Sequence, residues 1–302
     1  MRVAALDCGT NTIKLLVLDH DGSDLEREMR IVRLGQDVDR TGRLAEEALA
    51  RTFAAIEEYA GLVARHDVDE VRFCATSATR DSANAAEFAA GVRARLGVDP
   101  EVLSGAEEAG LAWAGATGGL PGLETPLLVL DIGGGSTELV LGSGATPDAA
   151  HSMDVGSVRM TERHLHSADG SPPTPAQVAA CVADVDAALD ACPVDPSGAA
   201  TLVGVAGTVT TIAMGVVGLP TYDRSATHGA RLPVARVHAL CDRLLGSTAE
   251  ERAGMTWLHP GRADVIGAGA LVLSRVLART RVSELVVSET DILDGIAWSM
   301  RG

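Results

Sequence analysis

Two short stretches, half a chain apart, limit what this sequence can fold into more than any other feature. Leu6-Asp7-Cys8-Gly9-Thr10-Asn11-Thr12, followed by the apolar run from Ile13 to Val17, returns 124 positions later. The second copy reads Leu130-Asp131-Ile132-Gly133-Gly134-Gly135-Ser136, followed by Thr137 to Leu141. In both, an apolar strand ends near an Asp, a Gly follows two positions on, small or hydroxyl residues come next, and a second strand begins. Each copy reads as a β-hairpin with an acid at the mouth of its turn. Without bulky Cβ substituents, such a turn lets successive N–H groups and hydroxyls approach an anion. Phosphate is the natural guest. The Asp repels phosphate, so it calls for a divalent cation that the two share.

The repeat also divides the chain. Its 302 residues suit two domains of about 150 residues each. The Gly-Pro-rich stretch Gly118-Gly119-Leu120-Pro121-Gly122 marks the boundary, giving domains 1–122 and 123–287. Helical spacing of Leu49, Phe53, Ile56, Ala60 and Val63, and of Val178, Val182, Val185 and Leu189, alternates with short apolar runs at 71–75, 127–132, 201–205 and 285–288. That alternation predicts layered α/β domains whose ligands gather at strand ends. Thr174 and Pro175 open one helix as N-cap and first helical residue.

Three further segments have the form of a strand followed by a small polar loop. In Cys74-Ala75-Thr76-Ser77-Ala78-Thr79-Arg80, hydroxyls precede a guanidinium able to grip an oxyanion with two hydrogen bonds. In Val203-Gly204-Val205-Ala206-Gly207-Thr208, two glycines lie between a strand and an apolar helix, where an anion is welcome. In Ser104-Gly105-Ala106-Glu107-Glu108, Ser104 and Glu107 fit a capping box, which leaves Glu108 to take a proton from an attacking water. Taken singly, each has a plainer reading: a solvated Arg, a tight turn, or a surface acid favoured by the helix dipole.

Composition excludes several classes. No apolar run reaches the roughly 18–20 residues of a membrane span, and the start reaches Asp7 too early for a signal peptide. A cytoplasmic enzyme is expected. The five cysteines are scattered without a Cys-x-x-Cys, so neither a disulfide framework nor a zinc site is indicated. Cys8 sits in the first loop, where oxidation would inhibit if the thiol were reactive. His151, His164, His166 and His228 show no metal-ligand spacing. A net charge of −16 argues against nucleic acid and anionic membranes as partners.

In order along the chain, Asp7-x-Gly9-Thr10-Asn11-Thr12, Ala75-Thr76 to Arg80, Ser104 to Ala109, Asp131 to Glu138 and Gly204 to Thr208 resemble the exopolyphosphatase/guanosine pentaphosphate phosphohydrolase (Ppx/GppA) family, from residue 1 to about 300. The resemblance implies an α/β chain of two actin-like (ribonuclease H-like, ASKHA superfold) domains with the active site in the cleft between them. It also implies that segment 288–302 returns to the first domain. It further implies Mg²⁺ or Mn²⁺ as cofactor, release of terminal phosphate as orthophosphate, and a homodimer. By motif position Glu108 is the general base. Gly9, Thr10, Asn11, Thr12, Thr76, Arg80, Gly133, Gly134, Gly135, Ser136, Gly207 and Thr208 bind phosphate, while Asp131, Asp7 and Glu138 serve the metal.

The sequence departs from the family pattern in two ways. Thr10 and Thr12 replace the usual Ser, and the chain resembles the short form of the family, without the C-terminal helical domains of long members. With −16 net charge and Lys14 as the one lysine, short polyphosphate chains are expected over long polymer. A local basic cleft would draw on Arg80, Arg159, Arg163, Arg224, Arg231 or Arg262. The alternatives are a guanosine pentaphosphate 5′-phosphohydrolase, a small-molecule kinase of the same superfold, and a catalytically silent regulatory protein.

Overall fold

The structure, a computed structural model, describes residues 1–167 and 169–301. Gly302, the last residue of the segment expected to return to the first domain, lies outside the described residues. Two compact units are present: Met1–Gly115 together with the residues from Asp291 on, and Ala116–Thr290.

The first unit is built on the strands β1 (Val3–Cys8), β2 (Thr12–Leu18), β3 (Asp24–Ile31), β4 (Glu70–Ala75) and β5 (Glu101–Val102), in the order β3-β2-β1-β4-β5. The pairs β1–β2 and β2–β3 are antiparallel, while β1–β4 and β4–β5 are parallel. Every residue of β1 is buried, as expected of a central strand covered on both faces. Side chains alternate across it. Ala4, Leu6 and Cys8 face a core with Leu49, Ile56, Tyr59, Phe88 and Val92 of the helices Glu46–Ala64 and Ala85–Leu96. Val3 and Ala5 face a core with Leu103, Ala112, Ile292, Leu293 and Ile296. The helix Ile292–Ser299 therefore belongs to this unit although it is last in the chain.

The second unit repeats the plan with β6 (Leu127–Ile132), β7 (Thr137–Gly142), β8 (Ala149–Met153), β9 (Thr201–Val205), β10 (Arg231–Pro233) and β11 (Glu284–Val287), ordered β10-β11-β9-β6-β7-β8. Again a hairpin and a third antiparallel strand flank a parallel strand on the far side of the first. The core of this unit lies between the sheet and the helices Pro175–Ala191, Ala206–Val217, Val234–Gly246 and Ile266–Leu277. Thr174 and Gln177 cap the first of these reciprocally, with Pro175 at its start.

Two local expectations need correction. The helix Gly105–Gly119 runs into the Gly-Pro stretch, and the units part at Gly115/Ala116 instead. Gly119 is kept in the helix by close packing, since a Cβ there would lie 2.0 Å from the Thr290 hydroxyl. Gly204 is not in a loop. It lies within β9, buried where a Cβ would strike Val209 and Leu285. Among the described residues, no helix is long and apolar enough to cross a membrane.

Candidate active site

Both copies of the repeat fold as hairpins with matching turns. The Gly9 N–H donates to the Thr12 carbonyl at 2.9 Å, and the Gly133 N–H donates to the Ser136 carbonyl at 3.0 Å. Their registers match as well. Asp7 lies opposite Lys14 on β1–β2, and Asp131 lies opposite Glu138 on β6–β7. The same position of the repeat thus carries an ammonium in one unit and a second carboxylate in the other.

In the second unit the turn is held from outside by residues 157–159. The Ser157 N–H and Oγ donate to the Gly133 carbonyl at 2.9 and 3.2 Å. The N–H groups of Val158 and Arg159 both donate to the Gly134 carbonyl, at 2.8 and 3.1 Å, and Arg159 Nε donates to the Gly135 carbonyl at 2.7 Å. In a planar trans peptide, the N–H of the next residue points opposite to the carbonyl. With three carbonyls turned toward 157–159, the N–H groups of Gly134, Gly135 and Ser136 face the other way. None of the three donates to protein among the described residues. Such a row of N–H groups is an anion nest. Gly156 lets the clamp approach, since a Cβ there would lie 2.5 Å from the Gly134 oxygen.

Beside the nest, Asp131 and Glu138 are 6% and 2% exposed, and Ser152 Oγ donates to Glu138 Oε1 at 2.6 Å. Two buried carboxylates at directly opposed positions repel each other in a low dielectric unless a cation joins them. Hard oxygen donors beside a phosphate nest fit Mg²⁺, which binds through one or two carboxylates plus phosphate and water. Among the described residues, no three His, Cys, Asp or Glu side chains gather as a metal cluster.

Gly207 and Thr208 open the helix Ala206–Val217, after Ala206 in a left-handed turn at φ 64°. The Arg262 guanidinium lies over Gly207, where a Cβ would meet it at 1.9 Å. Burial lowers the pKa of Arg262, with Tyr222 and Glu289 opposing. Thr208 is buried, and a Cβ on Gly269 would meet its side chain at 2.7 Å.

In the first unit, residues 32–35 hold the turn. The N–H groups of Val32 and Arg33 donate to the Asn11 carbonyl at 3.0 Å each, and the Gly35 N–H donates to the Thr10 carbonyl at 2.8 Å. The Thr10 and Ser77 hydroxyls share a hydrogen bond of 2.8 Å, and the Thr76 N–H donates to the Cys8 carbonyl. The buried Asn11 Oδ1 has no hydrogen-bond partner among the described residues. Asp7 is ion-paired with Lys14 at 3.5 Å, and Lys14 also reaches Asp291 at 2.6 Å. Burial raises the Asp7 pKa against the pull of Lys14. Burial also pushes the Cys8 thiol well above its usual range, so this cysteine is not poised as a reactive thiolate.

Glu108 stands in the first turn of the helix Gly105–Gly119, behind the reciprocal cap of Ser104 and Glu107. It is 8% exposed, and burial pushes its pKa up to about 7. Arg80 opposes the rise, while Asp7 and Asp81 add to it. Arg80 NH1 donates to Glu108 Oε2 at 3.1 Å and to the Leu103 carbonyl at 2.9 Å. Its other nitrogens have no protein partner among the described residues. Neither the pairing of Arg80 with Glu108 nor the clamps at 32–35 and 157–159 are visible in the hairpin motif. One signal was present: Val32-Arg33-Leu34 is echoed by Val158-Arg159-Met160, and each Val-Arg pair donates two N–H groups to one turn carbonyl.

The chain is similar to known proteins over nearly its whole length. The family model of the Ppx/GppA phosphatase family matches residues 17–301. Exopolyphosphatase 2 of Mycobacterium tuberculosis is 45% identical over 321 aligned residues, covering 100% of this chain and 99% of that protein. The crystal structure of an exopolyphosphatase-like protein superposes with a TM-score of 0.96 at 44% identity, over 99% of this chain and 98% of that one. The Aquifex aeolicus member of the Ppx/GppA family gives 0.83 at 30% identity, over 100% and 97%. With the family model matched over nearly its whole length, and with the paired hairpins to go with it, the chain belongs to the Ppx/GppA phosphatase family.

Proposed function

We infer that the chain is an exopolyphosphatase, a phosphoric anhydride hydrolase that releases the terminal phosphate of inorganic polyphosphate as orthophosphate. The observation that carries this reading is the row of N–H groups at Gly134, Gly135 and Ser136 beside the opposed carboxylates of Asp131 and Glu138. The full-length likeness to an exopolyphosphatase supports polyphosphate as the substrate.

Asp131 and Glu138 would hold Mg²⁺, which when bound neutralises phosphate charge as the anhydride breaks. Asp7, the third carboxylate expected at the metal, is ion-paired with Lys14 at 3.5 Å. The nest holds the terminal phosphoryl oxygens, and Arg80 offers further donors from its unpaired nitrogens. Glu108 takes the proton of the attacking water as the water oxygen bonds to phosphorus and the anhydride P–O bond breaks. The shortened chain leaves with the bonding pair. Such a transition state needs positioning and charge stabilisation more than covalent help, and this residue set supplies both.

The test is orthophosphate release from short polyphosphate, long polyphosphate and guanosine pentaphosphate, side by side, with and without a chelator. Release is expected fastest from short chains, abolished by chelation, and reduced on the order of 10²–10⁴-fold in Glu108→Gln. Near-normal turnover in that variant removes Glu108 as base. A preference for the nucleotide moves the activity to guanosine pentaphosphate hydrolysis.

A further inference from the structure

The three carbonyls behind the nest are not held alike. Those of Gly133 and Gly134 each accept two hydrogen bonds from residues 157–159, at least one of them from the main chain. The Gly135 carbonyl is held by a side chain, Arg159 Nε at 2.7 Å. That peptide carries the Ser136 N–H, the last donor of the nest. This peptide lies between Gly135 and Ser136, and on the Gly135 side there is no Cβ to resist its rotation. A flipped peptide would aim a carbonyl, not an N–H, at the phosphate.

The first unit shows the contrast. There the carbonyl of Asn11, the residue 124 positions before Gly135, accepts from the main-chain N–H groups of Val32 and Arg33 at 3.0 Å each. The second unit assigns the comparable task to a guanidinium. The Arg159 side chain is 12% exposed, with Asp154 3.9 Å from its NH2.

We propose that Arg159 is a positioning residue for phosphate binding: its Nε–H holds the Gly135 peptide so that the Ser136 N–H faces the terminal phosphoryl group. The proposal rests on the phosphate reading of the nest. It concerns one atom, which makes it testable by chain length. Gln places its Nε2 donor at the same number of bonds from the backbone as Arg Nε, without charge. Lys has a carbon at that position and keeps the charge.

The experiment measures kcat and KM for short polyphosphate and competitive inhibition by orthophosphate, in wild type, Arg159→Gln, Arg159→Lys and Arg159→Met. Thermal melts confirm that each variant is folded. Arg159→Met is expected to lose on the order of 10²-fold in kcat/KM and to bind orthophosphate correspondingly less well. Arg159→Gln is expected to recover most of the loss and Arg159→Lys little of it. If Lys rescues and Gln does not, charge on the substrate is the operative feature and the positioning role is overturned. Equal kinetics in all four proteins overturn it too. Should the Met variant fail to fold, the order of Gln and Lys decides alone. A wild type that releases no orthophosphate sinks the underlying reading, whereas an active wild type with the wrong order sinks this inference alone.

Discussion

At the scale of single residues, Glu108 ties reactivity to stability. Its carboxyl titrates near 7 in the folded chain, against an ordinary value of 4.5, because burial outweighs the help of Arg80. As the proposed base it must be ionised, so kcat/KM should rise with pH and level off above about 7. A profile already flat from pH 5 to 8 would remove it from that role. The same shift has an opposite effect on folding. The contribution of this group is fully present below the unfolded value, falls as pH rises, and is lost above about 7, where an ionised carboxylate must stay buried. Glu108→Gln should therefore melt higher than wild type at pH 8, with little advantage at pH 5. Lys14 shows what a sequence conceals at this scale. Its identity was plain, but its pairing with Asp7 and Asp291 required the register of β1–β2 and a residue 277 positions away.

At the scale of elements, the hairpins were legible because Asp-x-Gly followed by small residues has few other uses between two apolar runs. The clamps were not, because their one trace, the Val-Arg pair at 32–33 and again at 158–159, is too short to stand out before the structure shows what it holds. Gly115 and Gly295 are a similar case. A Cβ on Gly295 would lie 2.1 Å from the Leu111 carbonyl, and one on Gly115 would lie 1.8 Å from that of Asp291. Only the absence of side chains lets the helices Gly105–Gly119 and Ile292–Ser299 approach so closely. The second helix is also pinned by charge. Asp291 and Asp294 form its capping box, and Arg27 reaches Asp294 at 2.6 Å. Gly295→Ala should lower stability by about 1–3 kcal/mol through overpacking. Gly61→Ala is the control, since Gly61 lies in a helix with nothing within 4 Å of its missing Cβ. It should stabilise by about 0.5–1 kcal/mol. Denaturant melts of the two variants check both signs, and a stable Gly295→Ala would show that the helices can part at little cost.

At the scale of the whole molecule, the α/β class and the repeat followed from sequence because alternation and self-similarity survive any detail of packing. The net charge of −16 also has consequences beyond any one site. A polyanion approaching an acidic protein is repelled over distances that salt screens, about 10 Å at 0.1 M ionic strength. Added monovalent salt should raise kcat/KM for long polyphosphate relative to short chains, since more of the long chain lies in the repelling field. Assays with both substrates at low and moderate salt read that ratio directly, and a falling ratio would mean that local cations dominate.

The first unit begins at Met1 but is completed by a helix starting at Ile292, with all of Ala116–Thr290 intervening. Chains are synthesised from the N-terminus at about 5–20 residues per second, so the wait for that helix is roughly 10–35 s. During that time Val3, Ala5, Leu16 and Leu18 lack the apolar cover that Ile292, Leu293 and Ile296 later provide. The second unit, contiguous in sequence, waits only on its own residues, the last of its strands being β11 (Glu284–Val287). The half of the molecule made first is thus the half that finishes folding last, and it is the nascent chain's sticky surface for most of its birth.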